Sequence, residues 1–167
     1  MQKIAKFFKV SFEQFKKDWQ NNFSDLSDVE KIYDNIKLPK RATAGSAGYD
    51  FFAPIKLEIP PKSTLLVPTG IRVQMQPGTF LAIFPRSGLG FKFKLQLFNT
   101  VGIIDEDYFF ANNEGHIMIK VFNDTFESKT IVVEQGDGFA QGILMAFGIT
   151  EDDNATSQRT GGFGSTT

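Results

Sequence analysis

Residues 64–88 read TLLVPTGIRVQMQPGTFLAIFPRSG. Apolar runs rich in Leu, Ile, Val and Phe are broken by Gln-Pro-Gly and Pro-Arg-Ser-Gly. Short β-rich runs between turn residues are the texture of strands. The pattern spreads outward in both directions, through YDFFA and LEI before this stretch and LQLFN, GHIMIKVFN, KTIVVEQGD and FAQGILMAF after it. From residue 37 onward the chain predicts an all-β sandwich or jelly-roll-like barrel. No repeat of fixed period appears, and the only biased segment is the glycine-rich end.

The beginning has a different texture. KIAKFFKV, residues 3–10, reads as a strand. Ser11 with Gln14, and Ser27 with Glu30, have capping-box spacing and predict two helices over about 12–20 and 28–36. Phe12, Phe15 and Trp19 recur at helical spacing. Such a stripe either packs onto the domain or receives a protein partner. The chain of 167 residues therefore reads as one domain: a helical insertion at 12–36, a β-rich body at 37–157 and an arm at 158–167.

Composition narrows the function. Net charge is −1, which leaves no basic footprint for a nucleic acid. No apolar run approaches the roughly 18 residues of a membrane span. MQKIAKFFKVSF scatters three lysines where a signal peptide keeps an unbroken apolar core. There is no cysteine and one histidine, His116, which argues against thiolate and histidine-rich metal sites. The expectation is a cytoplasmic protein. His116 reads as structural or surface. The 19 phenylalanines predict many rings in a core or a subunit interface.

Five short motifs carry chemistry. Asp50, in Ala47-Gly48-Tyr49-Asp50, is a turn residue or a carboxylate facing a site. In Pro85-Arg86-Ser87-Gly88-Leu89-Gly90, Arg86 offers a forked cation and Ser87 a hydroxyl. The glycines permit close backbone approach, so the loop suits phosphate oxygens or is a plain tight turn. Asn99 to Tyr108 looks like a hairpin ending in an acidic cluster, whose three acids are either plain solvated turn residues or include, in Asp105, a general base that aims water. Gly136-Asp137-Gly138-Phe139-Ala140-Gln141 is a turn into a strand. Arg159 and then Gly161-Gly162-Phe163-Gly164-Ser165-Thr166 offer a cation, backbone N–H groups, hydroxyls and a ring able to stack.

In this order the motifs resemble the homotrimeric dUTPase family, over residues 38–166 and beginning at Leu38-Pro39-Lys40-Arg41-Ala42-Thr43. The resemblance implies a jelly-roll trimer that hydrolyses dUTP to dUMP and pyrophosphate with Mg²⁺, using active sites shared between chains. Asp105 would orient the attacking water. Tyr108 would lie under the deoxyribose and exclude a 2′-hydroxyl. Asn99 and the backbone of Ile103 and Ile104 would read the uracil edge, with Met118 lining the pocket. Arg86, Ser87 and Gly88 would bind phosphates. Gln141 would reach the phosphate–metal region, and Asp50 would support it through water. The arm would close as a lid, Phe163 over the uracil and Arg159, Gly164, Ser165 and Thr166 on the nucleotide.

The chain departs from the family pattern in four places. An insertion, Phe109-Phe110-Ala111-Asn112-Asn113-Glu114, follows Tyr108. Gly138 replaces a basic residue after Gly136-Asp137. Arg159 stands four residues before Phe163, where five is usual. The helical stretch 12–36 enlarges a link that is short in the family. Two other readings compete: a dCTP deaminase-like enzyme, and a regulatory protein on a dUTPase scaffold that binds a partner through residues 12–36.

Overall fold

The computed structural model describes residues 2–157, Arg159 and Gly161. Strand β1 (Ala5–Lys9) runs antiparallel to β5 (Ile71–Met75), pairing Ala5 with Met75 and Lys9 with Ile71. The chain then turns into α1 (Phe12–Gln20), whose N-cap Ser11 Oγ accepts the Gln14 backbone N–H at 3.2 Å. The second expected box does not form. Ser27 spends its hydroxyl on Asp25 Oδ1 at 2.7 Å, so Asp28 becomes the N-cap of a shorter α2 (Val29–Asp34).

The aromatic stripe of α1 faces inward. Phe15 and Trp19 are buried, and Trp19 stacks on Phe23 at 4.4 Å between ring centroids. Phe15 also meets Tyr33 of α2 at 5.6 Å. Burying each such side chain stabilises by about 1.5–3 kcal/mol. The stripe is therefore core, and the partner surface considered for residues 12–36 does not lie on it.

The body is all-β. One antiparallel sheet has the order β2 (Tyr49–Phe52), β11 (Gly138–Ala146), β6 (Thr79–Pro85) and β8 (Gly102–Ile104). A second has the order β4 (Thr64–Pro68), β9 (Met118–Asn123) and β7 (Leu95–Leu97). Strands β3 (Leu57–Ile59) and β10 (Ile131–Val133) form a further pair. In both, outer residues are buried and the middle one exposed, the period-2 signature of a half-buried strand. Neighbours are mostly non-consecutive in sequence, as a jelly-roll-like topology requires. Phe51, Phe139, Leu81, Ile117 and Val121 are among the residues that fill the core.

Two local expectations are corrected. The Pro-Arg-Ser-Gly turn continues into a short helix, α3 (Ser87–Phe93), which Lys94 ends in the left-handed region at φ 53°. The Asn99–Tyr108 stretch is not a hydrogen-bonded hairpin. The strand before it and the strand within it belong to different sheets, β7 pairing with β9 and β8 with β6. Leu95 and Leu97 are buried on one strand and Ile104 on the other, and each strand joins the sheet that buries it. The link turns at Thr100, φ 68°, and β8 runs out into a 3₁₀ helix, Glu106–Phe110. Among the described residues, no helix is long and apolar enough to cross a membrane.

Candidate active site

Where β7, β8 and β9 meet, a pocket of about 280 Å³ opens. Ile83, Leu97, Gly102, Ile104 and Met118 line it with apolar surface, and Asn99 adds an amide. A mostly apolar slot with two polar side chains, Asn99 and Lys120, suits a flat heterocycle held by its edge. Met118 opens β9 and lines this pocket, so the inserted residues do not shift it away. Ile104 is buried in the wall, whereas the Ile103 side chain is 52% exposed on the opposite face. The Ile103 side chain therefore does not line the slot.

Beyond β8 the chain presents Asp105 and Asp107, both about half exposed. Arg159 sits on them. Its Nη1 donates to Asp105 Oδ2 at 2.6 Å and lies 3.6 Å from Asp107 Oδ1, with its guanidinium 5.1 Å from the Tyr108 ring centre. Two carboxylates and one ring thus hold one cation. The Asp105 carboxylate is half exposed, so water and salt screen the pair from that side. The structure places Arg159 at Asp105 of its own chain, not at the Arg86 loop. Phe163, Gly164, Ser165 and Thr166 lie outside the described residues.

Tyr108 is buried. Its hydroxyl donates to the His116 carbonyl at 2.8 Å and accepts from Asn113 Nδ2 at 2.7 Å. Burial pushes its phenol pKa up. His116 is fully buried, as a structural histidine.

A second cluster forms around β6, β2 and β11. Arg86 Nε lies 3.4 Å from Asp50 Oδ1. Gln141 stands opposite Asp50 in the β2–β11 register, and its Nε2 donates to the Pro85 carbonyl at 3.2 Å. A Cβ on Gly138 would meet Arg86 Nη1 at 3.2 Å and Cδ at 3.3 Å. The bare glycine is the bed on which the guanidinium rests, which accounts for the missing basic residue. Arg86, Ser87, Gly88, Asp137 and Gly138 line a cleft of about 480 Å³, and Lys92 joins them. The sequence reading overlooked Lys92. Its signal was available, because Lys92 follows Gly88 by four residues and i, i+4 positions share a helix face.

These clusters do not meet within one chain. The β6–β8 register pairs Ile83 with Gly102 and Leu81 with Ile104, which carries Asp105 toward Phe80. Arg86 lies six residues further along β6, about 20 Å away at the strand rise of ~3.3 Å per residue.

Comparison with known proteins supplies the family. The dUTPase family profile matches residues 34–167. The chain belongs to the dUTPase family. The deoxyuridine 5′-triphosphate nucleotidohydrolase of Lactococcus lactis is 40% identical over 134 residues, covering 78% of this chain and 88% of that protein. The Escherichia coli enzyme of the same name is 41% identical over 142 residues, covering 80% and 89%. The crystal structure of the Streptococcus mutans dUTPase superposes with a TM-score of 0.65 at 36% identity, over 87% of this chain and 98% of that one. The reaction of this dUTPase is hydrolysis of dUTP, and the matches favour that over the deaminase reading. Because the profile begins at residue 34, β1, α1 and nearly all of α2 lie outside the matched region.

Proposed function

We propose that this dUTPase cleaves dUTP in sites assembled between three copies of the chain. The slot lined by Asn99, Gly102, Ile104 and Met118 takes uracil, with the Asn99 amide and the backbone of Ile103 and Ile104 on its edge. Cytosine reverses the donor and acceptor pattern and leaves buried groups unpaired, a costly mismatch. Tyr108 supports the deoxyribose and leaves no room for a 2′-hydroxyl. Arg159 first moves off Asp105 and Tyr108, drawn to the incoming phosphates, and the arm with Phe163, Gly164, Ser165 and Thr166 closes over the nucleotide. Closure excludes water other than the nucleophile.

Asp105, released from Arg159, accepts the proton of a water whose oxygen attacks the α-phosphorus. The bond from that phosphorus to the bridging oxygen breaks, pyrophosphate leaves and dUMP remains. Phosphoryl transfer asks mainly for position and charge neutralisation, so one carboxylate suffices. Arg86, Ser87, Gly88 and Gln141 hold the phosphates.

The donor set fits Mg²⁺ carried on the substrate. Among the described residues no three His, Cys, Asp or Glu side chains converge as metal ligands, while Asp50 and Gln141 offer hard oxygens side by side. Mg²⁺ retains waters readily, so these two residues would hold it through water, and it would supply neutralisation of the phosphate charge. The lack of cysteine and of any need for an oxidising compartment fits a cytoplasmic enzyme.

The observation that carries the shared site is the gap of about 20 Å between Asp105 and Arg86 on opposite ends of β6. A nucleotide whose α-phosphate lies at Asp105 cannot place its phosphates on Arg86 of the same chain. A neighbour in a closed ring can supply that loop. The test is pyrophosphate release from dUTP, dCTP, dTTP and UTP, with Mg²⁺ or with EDTA. Release from dUTP alone, and only with Mg²⁺, is expected. Comparable release from UTP would refute the Tyr108 assignment, and ammonia release from dCTP would restore the deaminase reading.

A further inference from the structure

The helix α1 and the residues inserted after Tyr108 both depart from the family pattern, and they bind each other. Asp18, on α1, places Oδ2 2.6 Å from His116 Nδ1. His116 Nε2 accepts the Gly70 backbone N–H at 2.8 Å, so that nitrogen carries no proton and Nδ1 is the donor to Asp18. Gln14, one turn back on α1, donates to the same Asp18 oxygen at 2.7 Å. The imidazole is fully buried and pinned on both edges, with Phe15 against it at 6.1 Å.

The carbonyl of this pinned residue accepts the Tyr108 hydroxyl at 2.8 Å. Asn113, from the insertion, donates to the same hydroxyl at 2.7 Å. Gly115 closes the loop in the left-handed region at φ 69°, and a Cβ there would strike the Tyr108 carbonyl at 2.6 Å. At the other end Ser11, the cap of α1, donates its backbone N–H to Glu114 at 2.8 Å and its hydroxyl at 2.5 Å. Tyr108 is in turn bonded through its own N–H to the Asp105 carbonyl at 3.2 Å. A continuous path of short contacts thus runs from a helix outside the matched family region to the ring beside the acidic group.

We propose that Asp18 and His116 are positioning residues for Tyr108, so that the inserted helix sets the sugar discrimination of the active site. This rests on the reading of Tyr108 as the deoxyribose support. A ring can exclude one hydroxyl only if it cannot yield by a fraction of an ångström. In this chain the Tyr108 hydroxyl is anchored to a backbone carbonyl whose residue is fixed from α1. Loosening Asp18 lets the ring give way, and the 2′-hydroxyl of a ribonucleotide is then accommodated.

The experiment measures kcat and KM for dUTP and UTP on the full chain and on Asp18→Ala, Asp18→Asn, Tyr108→Phe, Tyr108→Ala and Asp18→Ala/Tyr108→Phe. The readout is the ratio of kcat/KM for dUTP to that for UTP. Asp18→Ala lowers this ratio about tenfold, and Asp18→Asn, which keeps an acceptor for Nδ1–H, restores most of it. A role confined to stability would depress both substrates alike, and an unchanged ratio in Asp18→Ala overturns the proposal. Tyr108→Phe tests the link from the other end with α1 still docked, whether or not Asp18→Ala folds. It too lowers the ratio, and adding Asp18→Ala to it costs little more. Additive losses, or an unchanged ratio in Tyr108→Phe, overturn the proposal. Tyr108→Ala separates the two levels. If it leaves the ratio intact, the reading of Tyr108 has failed and the proposal with it. If it collapses the ratio while Asp18→Ala does not, only the proposal has failed.

Discussion

Mixing two inactive variants tests whether the active site is divided between chains. On the proposed reading, Arg86→Ala removes the phosphate guanidinium and Asp105→Asn the base, so each variant alone should be nearly dead. The β6–β8 register puts these groups about 20 Å apart in one chain, too far for one nucleotide to bridge. If each site takes Asp105 from one copy and Arg86 from the next around a ring, a hybrid trimer contains intact sites. At equal mixing, the Asp105 donor is an Arg86→Ala chain half the time, and its neighbour is an Asp105→Asn chain half the time. The product predicts recovery of about one quarter of wild-type turnover. The assay is pyrophosphate release after the variants are co-expressed under two affinity tags, or unfolded and refolded together. Recovery should follow the product of the two mole fractions, peaking at equal amounts. Activity that stays at the level of the parents would mean that one chain supplies both groups and that the argument from the strand register is wrong.

Other perturbations probe single steps. Asp105→Asn should lower kcat by about 10²–10⁴ while dUTP binding by calorimetry stays near wild type, because the carboxylate acts on the proton in the transition state; normal turnover would refute its role. Removing residues 159–167 should leave a folded protein with little activity, and full activity in the truncated chain would end the lid account. Phe15→Ala opens a cavity where a fully buried ring meets Trp19, Tyr33 and His116. It should cost about 3–5 kcal/mol and lower Tm by roughly 10 °C at fixed protein concentration, whereas a shift under 2 °C would mean α1 is not core. Acid should undock α1. Burial raises the Asp18 and Glu114 carboxyls, but hydrogen bonds from His116 and Ser11 outweigh it and hold both below the usual carboxylate range. Stability from a depressed carboxyl is complete above the unfolded pKa of about 4 and is lost as pH falls through the folded value. Denaturant titrations from pH 6 to 2 should therefore show a shallower acid slope for Asp18→Asn than for the parent, and equal slopes would refute the linkage.

The strands were legible because their signal is local. Runs such as LEI and IVV alternate buried and exposed sides, and Gly or Pro separates them, so period and punctuation agree. The first helix was legible for the same reason, its cap and its aromatic stripe lying within nine residues. The second box misled because Ser27 had a nearer competitor in Asp25, and spacing alone does not say which acceptor a hydroxyl chooses. The Asn99–Tyr108 stretch misled differently. A turn leading into a short strand looks like a hairpin, but β8 pairs with β6, and β7, just before the turn, pairs with β9. Pairing is a property of the sheet and not of the segment.

The site shows the same division between local and distant causes. Asn99, Asp105 and Tyr108 were legible as one spaced motif, and Met118 was placed near them despite the insertion. What spacing could not convey is how the motif is held. Asp18 meets His116 across 98 residues, and Ser11 meets Glu114 across 103. His116 invites a catalytic assignment as the only histidine, yet one nitrogen accepts a backbone N–H, the other faces a carboxylate, and the ring is wholly buried. It has no lone pair or proton to offer a substrate. The proposed mechanism gives the chemistry to Asp105, which is exposed and which Arg159 alone among the described cations engages at hydrogen-bond distance. On that reading, a half-exposed base held by a displaceable cation stands next to a ring held by buried hydrogen bonds, which is the arrangement that hydrolysis of one chosen nucleotide requires. The group that must change partners is loosely bound, and the group that must discriminate is rigid.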